Sequence, residues 1–120
     1  MIESYKELIV WQKAIDLVVE LYTLTEKFPK EDIYGLTSQM RRASVSIPSN
    51  IAEGRSRGSR REFRQFLLVA YGSGGELETQ IEIAKRLPST KNFNFYKVDQ
   101  LLNEVMKILN TIIAKLKAGS

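Results

Sequence analysis

Phe63, Leu67, Ala70, Gly74, Leu77, Ile81 and Ala84 are spaced alternately four and three apart. That spacing puts one small or apolar residue per turn on one side of an α-helix, the pattern of a helix packing lengthwise against others. A strand cannot use it, because its side chains change face at every residue. Ser59 stands just before the seam and makes a Ser-x-x-Glu capping box with Glu62. Pro88 closes it, since proline cannot continue a helix. The seam therefore predicts a long helix over 59–87 that is stable only among partners of the same kind.

Three further stretches supply them. Leu8, Trp11, Ile15, Val18 and Tyr22, widened by Ala14, Leu17, Leu21 and Leu24, predict an amphipathic helix over about 7–27 that stops at Phe28-Pro29. Asp32 is the expected cap of a second helix over about 33–54, with Leu36, Met40, Ala43, Ile47 and Ile51 as its seam. Val98, Leu102, Val105, Leu109, Ile112 and Leu116 predict a fourth over about 94–117, with Gly119 as its stop. No strand-like alternation competes. The expected fold is all-α, a single domain over 1–120 forming an up-down-up-down antiparallel four-helix bundle.

Two places strain the pattern. Pro48 removes a backbone hydrogen bond and crowds the carbonyl of Ser44, so the second helix either ends at Ile47 or bends and runs on to about Glu53. The spacing of Ile47 and Ile51 favours the bent helix, with Gly54 and Gly58 bounding the turn after it. Gly72, Gly74 and Gly75 cost about 1 kcal/mol each relative to alanine in a helix. The seam stays in phase across them, which favours close backbone packing over a break. A phosphate-cradling loop would need a preceding strand and a different glycine spacing.

Composition narrows the function. The 120 residues include no Cys and no His. Disulfides, the usual structural zinc sets, Cys or His nucleophiles and an imidazole base are excluded. So is the Glu-x-x-His ligand set of bundle di-iron sites. The expectation is no enzyme and no cofactor. Glu76, Glu78 and Glu82 read as a solvated face rather than a metal site. The apolar runs ELIVW and FLLVAY are far below the ~20 residues that span a bilayer. MIESYKE lacks the apolar core of a secretory signal, so the expected location is cytoplasmic, away from membranes.

Charge is concentrated. Of 18 basic residues, Arg55, Arg57, Arg60, Arg61 and Arg64 fall within ten positions, with Glu62 the one acid among them. The remaining 13 basic and 13 acidic residues balance, so this segment holds the whole net charge of +4. Arg60, Arg61 and Arg64 open a helix, where cations oppose the helix dipole by about 0.3–1 kcal/mol each. The misfit points to an external anion, which the free N–H groups of the same helix end would also attract. Arg41 and Arg42 are expected to extend the patch. RNA or DNA is the expected partner; docking of an acidic protein or a neighbouring subunit, and plain solvation, are the alternatives. Trp11, Tyr71, Phe93, Phe95 and Tyr96 could stack on bases, but spacing gives Trp11 and Tyr71 core or anchoring roles. Phe66-Leu67-Leu68-Val69-Ala70-Tyr71 is apolar on all sides of its helix, so Phe66, Leu68, Val69 and Tyr71 are expected to meet another copy of the chain.

Three runs carry a resemblance over nearly the whole chain: SYKELIVWQKA, FPKEDIYGLTSQMRRASVSIPSNIAEG and REFRQFL with AYGSGGELETQ. The chain resembles the bacterial four-helix-bundle family named for proteins encoded in 23S rRNA intervening sequences, with SIPSNIAEG the most specific string. The family includes proteins similar to the accessory variability determinant of diversity-generating retroelements. The resemblance implies a homopentamer in a nucleic-acid setting, with a reverse transcriptase as a further partner. It implies no catalytic residues.

Overall fold

The computed structural model describes residues 4–118, leaving aside the side chains at positions 32, 33 and 118. Four helices carry the chain: α1 (Ile9–Thr25), α2 (Ser38–Ser56), α3 (Arg60–Arg86) and α4 (Tyr96–Ala118). No strand occurs among the described residues. At about 1.5 Å per residue α3 alone is some 40 Å long, and it sets the long axis of a body measuring 48 × 21 × 21 Å. α1 packs on α2, α2 on α3, α3 on α4, and α4 back on α1. The contacts run in opposing order along three of these pairs. Lys13 meets Glu104 while Glu20 meets Lys97. Ser46 meets Ser73 while Gly54 faces Phe66. Lys85 meets Asp99 while Arg64 meets Ile113.

The seam of α3 holds. Leu67, Ala70, Gly74, Leu77, Ile81 and Ala84 are all buried, and the helix runs unbroken through its glycines. A Cβ at Gly74 would meet the thioether of Met106 on α4, the flexible end of a long side chain. α2 buries Met40, Ala43, Ile47 and Ile51 and continues through Pro48 as one helix. Side chains knit the turns beside the proline: Ser44 Oγ donates to Arg41 O at 2.8 Å, and Asn50 Nδ2 donates to Ser46 O at 2.8 Å.

Three boundaries differ from expectation. α2 begins at Ser38 rather than Ile33, because Gly35 (φ −107°, ψ −113°) breaks the helical path in a wide turn over Ile33–Thr37. Gly54 lies inside α2 and not in the turn, with Phe66 Cβ 2.6 Å and Phe63 Cδ1 3.2 Å from where a Cβ would stand. In α1 the fully buried line is Val10, Ala14, Leu17, Leu21 and Leu24, while Trp11, Ile15 and Val18 flank it half-buried and Tyr22 is exposed. The stripe of α1 is wide enough to accept either centre, and packing against α2 and α4 together selects the second. With α2 starting at Ser38, its N-cap position is Thr37 and not Asp32; the Gly119 stop lies outside the described residues.

The ends of α3 follow local chemistry. Ser59 Oγ accepts from the Glu62 N–H at 3.1 Å, and the Glu62 carboxylate accepts from the Ser59 hydroxyl at 3.2 Å. Leu87 is extended (ψ 136°), as the residue before Pro88 must be. Phe28, Phe93 and Phe95 then close this end of the body, with ring centroids of 5.1 Å (Phe28–Phe93) and 6.3 Å (Phe28–Phe95). Phe93 and Phe95 are therefore loop anchors rather than free stacking surfaces. Trp11 likewise packs edge-on against Tyr5.

Candidate nucleic-acid interface

The arginine segment forms the opposite end. α2 ends at Ser56, Gly58 turns the chain with φ 85°, and Ser59 caps α3. Only glycine takes that positive φ at little cost. The turn places Arg55 and Arg57 at the end of one helix beside Arg60, Arg61 and Arg64 at the start of the next.

These five side chains divide by what holds them. Arg64 Nε donates to the carbonyl of Ile113 at 3.2 Å, and Arg60 donates to those of Lys115 and Leu116 at 3.3 and 3.4 Å. Both arginines thus reach the last turns of α4. They oppose the dipole of their own helix but complement the negative end of its neighbour. The local misfit is in part settled inside the chain, which a reading of one helix at a time could not reveal. Arg57 lies over the Phe66 ring at 5.0 Å, with Nε bonded to Glu53 at 3.0 Å and Glu62 3.8 Å away. Arg55 lies over Phe63 at 5.8 Å, and its Nε is closed off from solvent without a partner. Arg61 is exposed and makes no hydrogen bond or ion pair among the described residues.

Between them is a notch of about 200 Å³ lined by Arg55, Gly58, Ser59, Arg60, Phe63 and Leu116. A phosphate in such a place finds guanidinium donors on two sides and the N-terminus of a 27-residue helix behind them. Fold also brings in Lys115, through the contact of its carbonyl with Arg60. Its signal in the sequence was only a basic last turn, about fifty positions away. Arg41 and Arg42 are not brought to this end. They lie some 14 residues along α2 from Arg55, about 20 Å at helical rise. Arg41 is tied to α1 instead, through Thr25 Oγ1 at 3.0 Å and Glu26 at 3.3 Å.

Of the expected oligomer residues, Leu68, Val69 and Tyr71 are exposed by 43, 52 and 38 % within one chain. Phe66 is half-buried between α2 and α3 beneath Arg57. Ile83 (45 % exposed) continues the same side of α3. Nothing lies within 4 Å of a Cβ built on Gly72 or Gly75. Among the described residues no cluster of three or more acidic side chains is placed to hold a metal ion. Glu82 pairs with Arg86 at 3.0 Å on an exposed face. No helix among them is long and apolar enough to cross a membrane.

The model of one family, the 23S rRNA-intervening sequence protein, matches residues 6–111. The chain belongs to this family. It is the same family that the SIPSNIAEG string suggested. The 23S rRNA-intervening sequence protein match spans all of α1, α2 and α3, the arginine turn between the last two, and α4 as far as residue 111. Lys115 falls beyond it. A comparison with curated proteins finds no match. The family's name ties it to 23S rRNA, and the fold common to its matched span here is all-helical.

Proposed function

We propose that this chain is a non-enzymatic, oligomeric accessory protein that binds the phosphate backbone of RNA or DNA with the arginine end of its bundle. The whole chain acts as one domain, an antiparallel up-down-up-down bundle, which the opposing order of contacts along three of the four helix pairs supports. The observation that carries the nucleic-acid reading is the state of the arginines left over. Among the described residues Arg61 is exposed with no partner, Arg55 keeps an unmet Nε, and Arg57 and Arg60 remain exposed with donors to spare. Helix capping accounts for Arg64 and part of Arg60, and nothing among the described residues accounts for Arg61. Contacts of this kind grip phosphate without reading bases. Cytoplasmic work on RNA fits the family's name, and a reverse transcriptase is the protein partner that the resemblance adds.

The test is a binding titration against salt. With about four phosphates held by Arg55, Arg57, Arg60 and Arg61, log K falls against log salt with a slope of roughly −3.6 on duplex and −2.8 on a single strand. Binding that ignores salt overturns the proposal. An acidic protein captured through the same arginines after nuclease treatment would instead make the chain an adaptor.

Assembly is the second half of the proposal, with five copies as the resemblance implies. Leu68, Tyr71, Gly72, Gly75 and Ile83 form an exposed second stripe along α3, opposite the buried seam. Two glycines in open space cost a lone helix about 1 kcal/mol each and gain only where another backbone comes close. Light scattering at micromolar concentration should give a multiple of 13.7 kDa. Leu68→Glu with Ile83→Glu should give the monomer mass with unchanged helical circular dichroism, because both side chains are exposed in one chain. A monomeric native chain sinks this half.

A further inference from the structure

A groove of about 610 Å³ runs between the end of α1 and the start of α2, far from the arginine notch. It is lined by Tyr22, Tyr34, Thr37, Ser38, Arg41, Arg42, Val45 and Ser46, with no carboxylate in its wall. Its volume is in the range of small-ligand sites. Some of its groups are already engaged. The Arg41 guanidinium covers the Tyr22 ring at 4.5 Å, and Ser46 Oγ is bonded to Ser73 Oγ at 2.8 Å. Three others are not. Tyr34 is 96 % exposed, so nothing among the described residues covers its ring. Arg42 is exposed and has no ion pair or hydrogen bond among the described residues. Thr37 is only 1 % exposed, yet its hydroxyl has no partner. Native proteins leave few buried polar groups unmet, and each asks for a reason.

We infer that this groove seats an unpaired nucleotide, with its base on Tyr34 and its phosphate on Arg42. Tyr34, in the turn before α2, and Arg42, in the first turns of α2, both line the groove, as does Ser38. A base with a free face stacks on an exposed ring. A guanidinium without a carboxylate partner takes the phosphate in a forked, charge-assisted pair. Thr37 and Ser38 remain as hydroxyls for the sugar or base edge. A paired base cannot use the site, since its faces are closed inside the duplex. The inference deepens the nucleic-acid reading and takes only the source of the nucleotide from it.

The experiment is a titration of the full ¹⁵N-labelled chain with uridine and adenosine 5′-monophosphates, read by amide shifts. Resonances over 34–46 should move. Tyr34→Ala should weaken binding about tenfold, Tyr34→Phe should retain it, and Arg42→Ala should weaken it as well. No movement over 34–46 at millimolar nucleotide, or equal affinity in Tyr34→Ala and Tyr34→Phe, overturns the inference. So does a change of assembly mass in Tyr34→Ala with nucleotide binding intact, which would assign the groove to another copy. One phosphate draws little on the arginine end, so Arg57→Glu with Arg61→Glu should leave these shifts in place. A flat salt slope with the shifts preserved would therefore sink the arginine proposal alone.

Discussion

Replacing Gly54 with alanine should lower the melting temperature by about 10 °C, read by thermal circular dichroism. The new methyl would meet Phe66 Cβ at 2.6 Å, Phe63 Cδ1 at 3.2 Å and the Phe63 carbonyl at 3.3 Å. A Cβ and a backbone carbonyl cannot swing aside, so α2 and α3 must part where they pack most closely. Overpacking of this kind costs about 3 kcal/mol at the upper end of its usual range. Better helix propensity returns about 1 kcal/mol. The net loss of about 2 kcal/mol corresponds to roughly 10 °C for a domain of this size. Gly74→Ala is the control: its obstacle is the Met106 thioether, the flexible part of a long side chain, so the loss should be clearly smaller. If Gly54→Ala were as stable as the native chain, the close α2–α3 approach would be wrong.

Arg57→Glu with Arg61→Glu should weaken nucleic-acid binding by about a hundredfold at 0.1 M salt. Each phosphate contact contributes about 0.9 in log K at that concentration, so two lost contacts account for most of it and reversed charge for the rest. The salt slope should fall by about two contacts' worth. Both side chains are exposed, and neither touches α4. Arg57→Glu turns the exposed pairs with Glu53 and Glu62 into repulsions, so the double variant should melt a few degrees lower, whereas Arg61→Glu alone should leave the melting temperature unchanged. Loss of binding only in step with loss of folding would speak against the assignment. Arg60 and Arg64 are the wrong residues for this test. Each donates to the end of α4, so their removal mixes stability with binding.

Much of this molecule was legible from residue spacing. The α3 seam needs only local periodicity, and six of its seven members are buried as the spacing predicts. The capping box at Ser59 and the stop before Pro88 are contacts within a few residues, so short-range chemistry decides them. Periodicity was weaker in α1, where apolar residues cover more than half of the helix. There the sequence allows two centres, and the choice belongs to the neighbours. The site was half legible. The cluster at Arg55–Arg64 was plain in composition, but the division of labour inside it was not. Nor could spacing separate Arg41 and Arg42 from the cluster, because the distance that matters runs along a helix that continues through Pro48.

Taken alone, the sequence determined an all-helical chain, where α3 caps and stops, and a single concentration of positive charge. These depend on interactions within a turn or two, which residue types and spacing specify directly. It also barred Cys and His chemistry outright. Only the tertiary structure decided which arginines are consumed by the end of α4 and which are left over. Only it showed that Gly54 and Gly74 are pressed by neighbours while Gly72 and Gly75 stand in the open. Likewise, the exposed ring of Tyr34 became a possible seat only once the groove beside it closed. The reason is common to all three. A side chain's partners lie on another helix, up to fifty or more residues away in the chain, and helix packing rather than local propensity chooses them.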